Sequence, residues 1–264
     1  MGKYIEIAKI HFKSQLAYRF DVAMAVLFTI SKILFAFILW GAIFGENETV
    51  SGFTFPMMLS YYIISSFLSQ IEMSQNVSTE ISERIRGGTF SKYMVIPVNT
   101  RGYFTLQTFG TMVFYLLFNL IGTVIWVFIF GIEFVIASNL ITILWAILMI
   151  ALGLLFMIQL NYFLGILAFK FLDINFFLMI KNNIVSFITG ELIPLALLPQ
   201  GIVCVMRFFP FYYVTYLPSM LLIGRNEDEA FFGVIVLSIW LLFFSLLNRF
   251  TYRKLRVIYD GVGI

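Results

Sequence analysis

The chain reads as a series of long apolar runs separated by short polar interruptions. Runs at residues 22–44, 53–75, 103–130, 135–168, 175–192 and 230–247 carry few charges. A helix needs about 20 apolar residues to cross a hydrocarbon core of about 30 Å, so the pattern predicts six transmembrane helices. The run at 135–168 exceeds one crossing and is expected to tilt, or to project into the cytoplasm around Gln159 and Asn161. Ahead of the first run, residues 3–20 are amphipathic. At about 100° per residue, Glu6, Lys9 and Lys13 form one polar stripe. Tyr4, Ile7, His11, Ser14 and Tyr18 lie opposite, with Ile5, Ile10, Phe12 and Leu16 on the flanks. That arrangement suits an interfacial helix at the headgroup boundary. Residues 193–223 are also apolar, but Pro194, Pro199, Pro210 and Pro218 interrupt them. Proline breaks regular helix, so one straight span is not expected here. Short re-entrant helices dipping into the outer leaflet are the expected form, since protein or an aqueous cavity can cover their backbone.

Composition strengthens this picture. Of 264 residues, 61% are hydrophobic and 12% charged, against roughly 45–50% and about 25% in soluble domains. The expected fold is therefore an all-α integral membrane protein, a single transmembrane domain over residues 1–264. The single cysteine, Cys204, excludes an internal disulfide, and with His11 the only histidine there is no Cys/His cluster for a metal. A formal charge of +3 is too small to suggest nucleic acid.

Where the charges lie matters more. With the N-terminus inside, the inner side holds Lys3, Lys9, Lys13, Arg19, Arg84, Arg86, Lys92, Arg101, Lys170, Lys181, Arg249, Arg253, Lys254 and Arg256. The outer side holds Arg207 and Arg225 beside the acidic Glu46, Glu48, Glu133, Glu227, Asp228 and Glu229. Basic loops stay cytoplasmic, so both termini are expected inside a cell membrane. The scattered charges before a span-length run do not fit a cleaved signal peptide. A composition rich in Ile, Phe and Asn points to a bacterium.

The chain has no phosphate-binding G-x-x-x-x-G-K-[ST] loop and no G-x-S-x-G or H-E-x-x-H motif. Charges near the spans are Lys32, Glu72, Asp173 and Glu191. Glu72 and Asp173 fall near inner ends and Glu191 near an outer end. Lys32 lies mid-span, where a charge faces a cavity, pairs with an acid or meets an anionic substrate.

The most informative segment is Glu80-Ile81-Ser82-Glu83-Arg84-Ile85-Arg86-Gly87-Gly88-Thr89-Phe90-Ser91-Lys92-Tyr93-Met94-Val95-Ile96-Pro97-Val98. It predicts a charged helix continuing from the second span, a reversal at Gly87-Gly88 and a short second piece that Pro97 ends. The result is an elbow over residues 80–95. It resembles the cytoplasmic coupling segment of ABC-2-type exporter permeases. A second likeness lies in Gly190-Glu191-Leu192-Ile193-Pro194-Leu195, Pro199, Phe209-Pro210-Phe211, Tyr216-Leu217-Pro218 and Gly224. This pattern is similar to the one before the last span in the ABC-2 family transporter branch, and the resemblance covers essentially the whole chain.

The resemblance implies an exporter subunit that pairs with a second permease, identical or related, and docks on separate ABC ATPase chains. ATP and Mg would be bound there, with no cofactor in this chain and no enzymatic activity of its own. It assigns ATPase coupling to Glu83, Arg84, Arg86, Gly87, Gly88 and Phe90, and the outer gate to Glu191, Pro194, Pro199, Pro210, Phe211 and Pro218. Related permeases line the pathway mainly with spans 2 and 5. Polarity then selects Tyr61, Tyr62, Ser65, Ser69, Asn183, Ser186 and Thr189, with Lys32, as lining candidates. The implied activity is outward movement of a hydrophobic or amphipathic lipid, drug or peptide. An ion-coupled secondary transporter stays open as an alternative, and so does a membrane-embedded enzyme, although the spans offer few acid, base or metal-ligating groups.

Overall fold

The computed structural model describes residues 2–45, 48–171, 173–190, 195 and 198–259, and of Arg19 only the backbone. Among them eleven α-helices form: α1 (Gly2–Ser14), α2 (Arg19–Phe44), α3 (Phe55–Ile71), α4 (Gln75–Arg86), α5 (Ser91–Val95), α6 (Thr100–Ile129), α7 (Leu140–Ile166), α8 (Asn175–Ile188), α9 (Gln200–Met206), α10 (Tyr216–Leu222) and α11 (Ala230–Leu255). The only extended pairing among the described residues is an isolated bridge between Val50 and Phe53.

Four helices are long and apolar enough to cross a membrane: α2, α6, α7 and α11. The protein itself buries no more than 39% of the most apolar stretch of any of them. Phe35, Phe128 and Leu246 are 73%, 82% and 69% exposed, a belt that only lipid solvates well. This is a membrane protein.

The remaining predicted runs differ in instructive ways. The fourth starts as helix only at Leu140, because the chain before it is pinned in extended form. There the Val135 N–H donates to Ser60 Oγ and the Ala137 N–H to the Leu222 carbonyl, both at 2.8 Å. Asn139 then caps α7 by accepting from the Ile141 N–H. The run at 53–75 stops being helical at Ile71. Glu72 is extended, and its carboxylate accepts from the Ser74 N–H at 2.9 Å before α4 restarts at Gln75. With 17 residues in α3 and 14 in α8, one sits at the lower limit of about 17–25 for a span and the other falls below it. The last run continues past 247, so Arg249, Arg253 and Lys254 ride on α11.

Packing centres on α7, which meets α11, α4 and α10, while α6 carries α1, α2 and α3. Trp40, Tyr61, Met149, Phe156, Leu217 and Leu237 are buried in the main core. The N-terminal helix rests on the protein. Its half-buried face, Tyr4, Ile7, Ala8, His11 and Phe12, lies along α6. The fit depends on glycines: a Cβ at Gly102 would sit 2.8 Å from the Tyr4 ring, and one at Gly110 would collide with the Ala8 carbonyl. Ile5, Ile10 and Leu16 stay exposed on the other side.

Candidate functional site

The two short helices α3 and α8 share a polar cavity of about 260 Å³. Its lining includes Ser69 from α3 and Asn183, Ser186 and Thr189 from α8 and its end. The structure thus brings together four of the eight residues selected by polarity. Tyr61, Tyr62 and Ser65 lie elsewhere. Tyr61 is fully buried and donates to the Gly190 carbonyl at 3.2 Å. Tyr62 tilts against Trp40 with centroids 5.9 Å apart, and Ser65 donates to the Tyr62 carbonyl. Lys32 is on the exposed face of α2, away from this cavity.

Sequence reasoning missed the most consequential residue of the cavity. Lys181, read as one more inner-side charge, is 8% exposed in the middle of α8. Its Nζ donates to Asn161 Oδ1 on α7 at 3.2 Å and to Gln75 Oε1 at the start of α4 at 3.3 Å. Asn161 Nδ2 donates in turn to Ser74 Oγ at 2.6 Å and to the Met157 carbonyl at 3.1 Å. Ser74 Oγ donates to Glu72. A buried ammonium needs such acceptors, because an uncompensated charge in an apolar surrounding is very costly. A polar chain therefore runs from Glu72 through Ser74 and Asn161 to Lys181, and Gln75 joins it to the elbow.

The elbow itself is built on the end of α7 and the turn that follows it. A Cβ at Gly165 would lie 3.0 Å from Ile81 and 3.1 Å from Ser78, so α4 touches the end of α7 backbone to backbone. After Arg86 the chain reverses through Gly88 at φ +68, and the Thr89 N–H closes the turn by donating to the Arg84 carbonyl at 2.9 Å. Phe90 then points inward, 0% exposed, edge-on to Phe169 at 5.2 Å. Its N–H donates to the Tyr259 hydroxyl at 3.0 Å. Glu83, Arg86 and Gly87 face out, Arg84 is half-buried 3.8 Å from Glu80, and Gly88 is buried. Phe90 and Gly88 thus shape the elbow from within, and Glu83 and Arg86 present its charged surface. Glu80 also accepts from the Tyr93 hydroxyl at 3.0 Å; burial, then that carboxylate, push the phenol well above its ordinary value.

At the opposite end, the prolines organise short pieces. Pro199 precedes α9, Pro210 opens a 3-10 turn, and Pro218 sits in the first turn of α10. Phe211 meets Phe156 edge-on at 5.8 Å. Glu191 and Pro194 lie outside the described residues. Glu229 gathers this end, accepting from Arg207 at 2.6 Å, Asn226 at 2.7 Å and the Tyr212 hydroxyl at 2.9 Å. A recess of about 670 Å³ opens here, with Tyr212 and Tyr216 in its wall. Thr215 lines the polar cavity and the next residue, Tyr216, lines the recess. The Tyr61, Tyr216 and Tyr212 rings, 6.0 and 5.0 Å apart, form the adjoining layer.

The class these features define is a polytopic helical membrane protein with a polar cavity between two short helices and an elbow at one end. Residues 18–263 match the family described as ABC-2 family transporter protein, and the chain belongs to that family. Permeases of this family generally work with ATP-binding subunits. No curated protein and no solved structure matches the chain.

Proposed function

We propose that this chain is the membrane half of an ATP-driven exporter in a bacterial cell membrane, with both termini cytoplasmic. It pairs with a second permease subunit, identical or related, and ATP is hydrolysed in separate ATPase chains. The segments around α3 and α8 complete six crossings, and α9 and α10 belong to re-entrant elements at the outer exit. The cavity between α3 and α8 forms part of the pathway for a hydrophobic or amphipathic substrate. The observation that carries this reading is the wiring of the elbow. Its helix α4 begins at Gln75, an acceptor of the cavity lysine, and its body lies on the end of α7. A push on the elbow therefore reaches the cavity through contacting groups. Helices then rock as rigid bodies, a recognised mode of switching.

The test is co-expression with candidate ABC ATPases and measurement of stimulated ATP hydrolysis. Glu83→Ala with Arg86→Ala is expected to reduce stimulation about tenfold, equivalent to ~1.4 kcal/mol of coupling, at unchanged unfolding temperature. Normal stimulation by this variant would sink the coupling assignment. Ion-coupled transport, the rival reading, draws on Glu72 and Lys181 sharing one cavity. It predicts substrate movement in vesicles driven by an ion gradient without any ATPase.

A further inference from the structure

A second polar cleft, of about 440 Å³, lies between the start of α6 and the end of α11. Four arginines enter its wall: Arg101 from α6, and Arg249, Arg253 and Arg256 from α11 and the turn after it. None of its lining residues is acidic. Among the described residues no carboxylate forms a salt bridge with any of the four.

Two of the guanidinium groups are held in place. Arg101 donates to the Ser245 hydroxyl at 2.7 Å and the Ser245 carbonyl at 3.0 Å. Arg256 lies over the Tyr252 ring, 5.8 Å from its centroid, and the Tyr252 hydroxyl bonds Thr100 at 3.2 Å. Asn248 lines the same cleft, 1% exposed, and its side-chain oxygen has no hydrogen-bond partner. Buried polar atoms are rarely left in that state. The wall is therefore strongly cationic and partly fixed.

Arg249, Arg253 and Arg256 are exposed at this cleft with no acid in its lining, and position indicates which counter-charge is at hand. The candidate spans run over Thr100–Ile129 and Glu227–Ile258, so Arg101 and Arg249 to Arg256 all lie at the ends of two spans. That is the depth at which headgroup phosphates sit. We propose that the cleft binds the phosphodiester of an anionic phospholipid, phosphatidylglycerol being the simplest with a headgroup hydroxyl. Arginine forks match phosphate oxygens in pairs. Tyr93 and Met94 of the elbow form part of the wall, so the lipid braces the elbow against the last span.

The test uses the full chain in a neutral detergent, with short-chain phosphatidylglycerol, phosphatidylcholine and inorganic phosphate as probes and native mass spectrometry as readout. Phosphatidylglycerol is expected to bind and phosphatidylcholine to bind far more weakly. At about 1 kcal/mol per surface basic residue, Arg253→Gln with Arg256→Gln should weaken phosphatidylglycerol by roughly 30-fold. Lys3→Gln with Lys13→Gln removes the same charge elsewhere and should leave binding nearly unchanged. Equal loss in both variants, or none in the first, overturns the proposal. Displacement of the lipid by millimolar inorganic phosphate overturns the lipid as occupant and leaves a soluble phosphate in its place. Should the glutamine variant fail to purify, Arg253→Lys with Arg256→Lys keeps the charge but loses the paired geometry. It is expected to bind measurably less, and unchanged binding counts against the site.

Discussion

Lys181 shows what a single residue does here that its position in the sequence does not reveal. A linear count of charges makes it one more cation on the basic side. Its cavity role depends on Asn161, twenty residues earlier, and on Gln75 from another helix, neither of which periodicity along α8 can indicate. Lys181→Met removes the donor from two acceptors, and an orphaned buried acceptor costs about 1–3 kcal/mol. The unfolding temperature in detergent should fall. Adding Asn161→Leu deletes one orphan and should recover part of that fall without restoring transport, a non-additivity expected of contacting residues. His11 gives a pH test. Burial against α6 lowers its pKa below 6.5, with Glu80 opposing. The docked helix thus favours neutral imidazole, while the released helix takes up a proton more readily. Docking is at full strength above pH 6.5 and weakens as pH falls below it, by at most ~1.4 kcal/mol per pH unit and less for a half-exposed group. Protease sensitivity of residues 2–14 should rise between pH 7.5 and 5, and His11→Phe should flatten that profile.

Elements were legible where hydropathy alone decides. The runs behind α2, α6 and α11 are long and apolar, and their helices form with starts within three residues of those expected. The elbow's reversal at Gly87-Gly88 was equally readable, because Gly88 takes a positive φ that side chains disfavour. The break after Ile71 was not. It comes from Glu72 bonding back to Ser74, a polar choice that hydropathy counts only as a small dip. Nor was the docking of α1, which amphipathicity assigned to the membrane surface. The available signal was in two of the three glycines of α6, Gly102 and Gly110, set eight residues apart. Gly110→Val should force the Ala8 carbonyl away and release α1. In a chain with Cys204→Ser, a cysteine at Ala8 should then react with maleimide many times faster than with Gly110 intact.

For the molecule as a whole, the charge asymmetry was plain in the sequence and the four long helices support a membrane protein; labelling reads which end faces the cytoplasm. Cys204, the chain's single cysteine, is exposed on α9. An impermeant maleimide should label it in intact cells, whereas Lys92→Cys with Cys204→Ser should react only after permeabilisation; the reverse pattern would invert the orientation. What the sequence could not show was how distant segments share one cavity, since that depends on α7 bringing Asn161 between Ser74 and Lys181. The seat of α1 on α6 also imposes an order in time. The ribosome makes α1 first, yet Gly102 and Gly110 emerge roughly a hundred residues later, which at ~5–20 residues per second is a delay of about 5–20 s. Until then the tyrosine and histidine face of α1 has no partner, and α2 must enter the bilayer with its leading helix unanchored. A ribosome stalled before α6 would therefore display a loose N-terminus, and one stalled just after it a protected one.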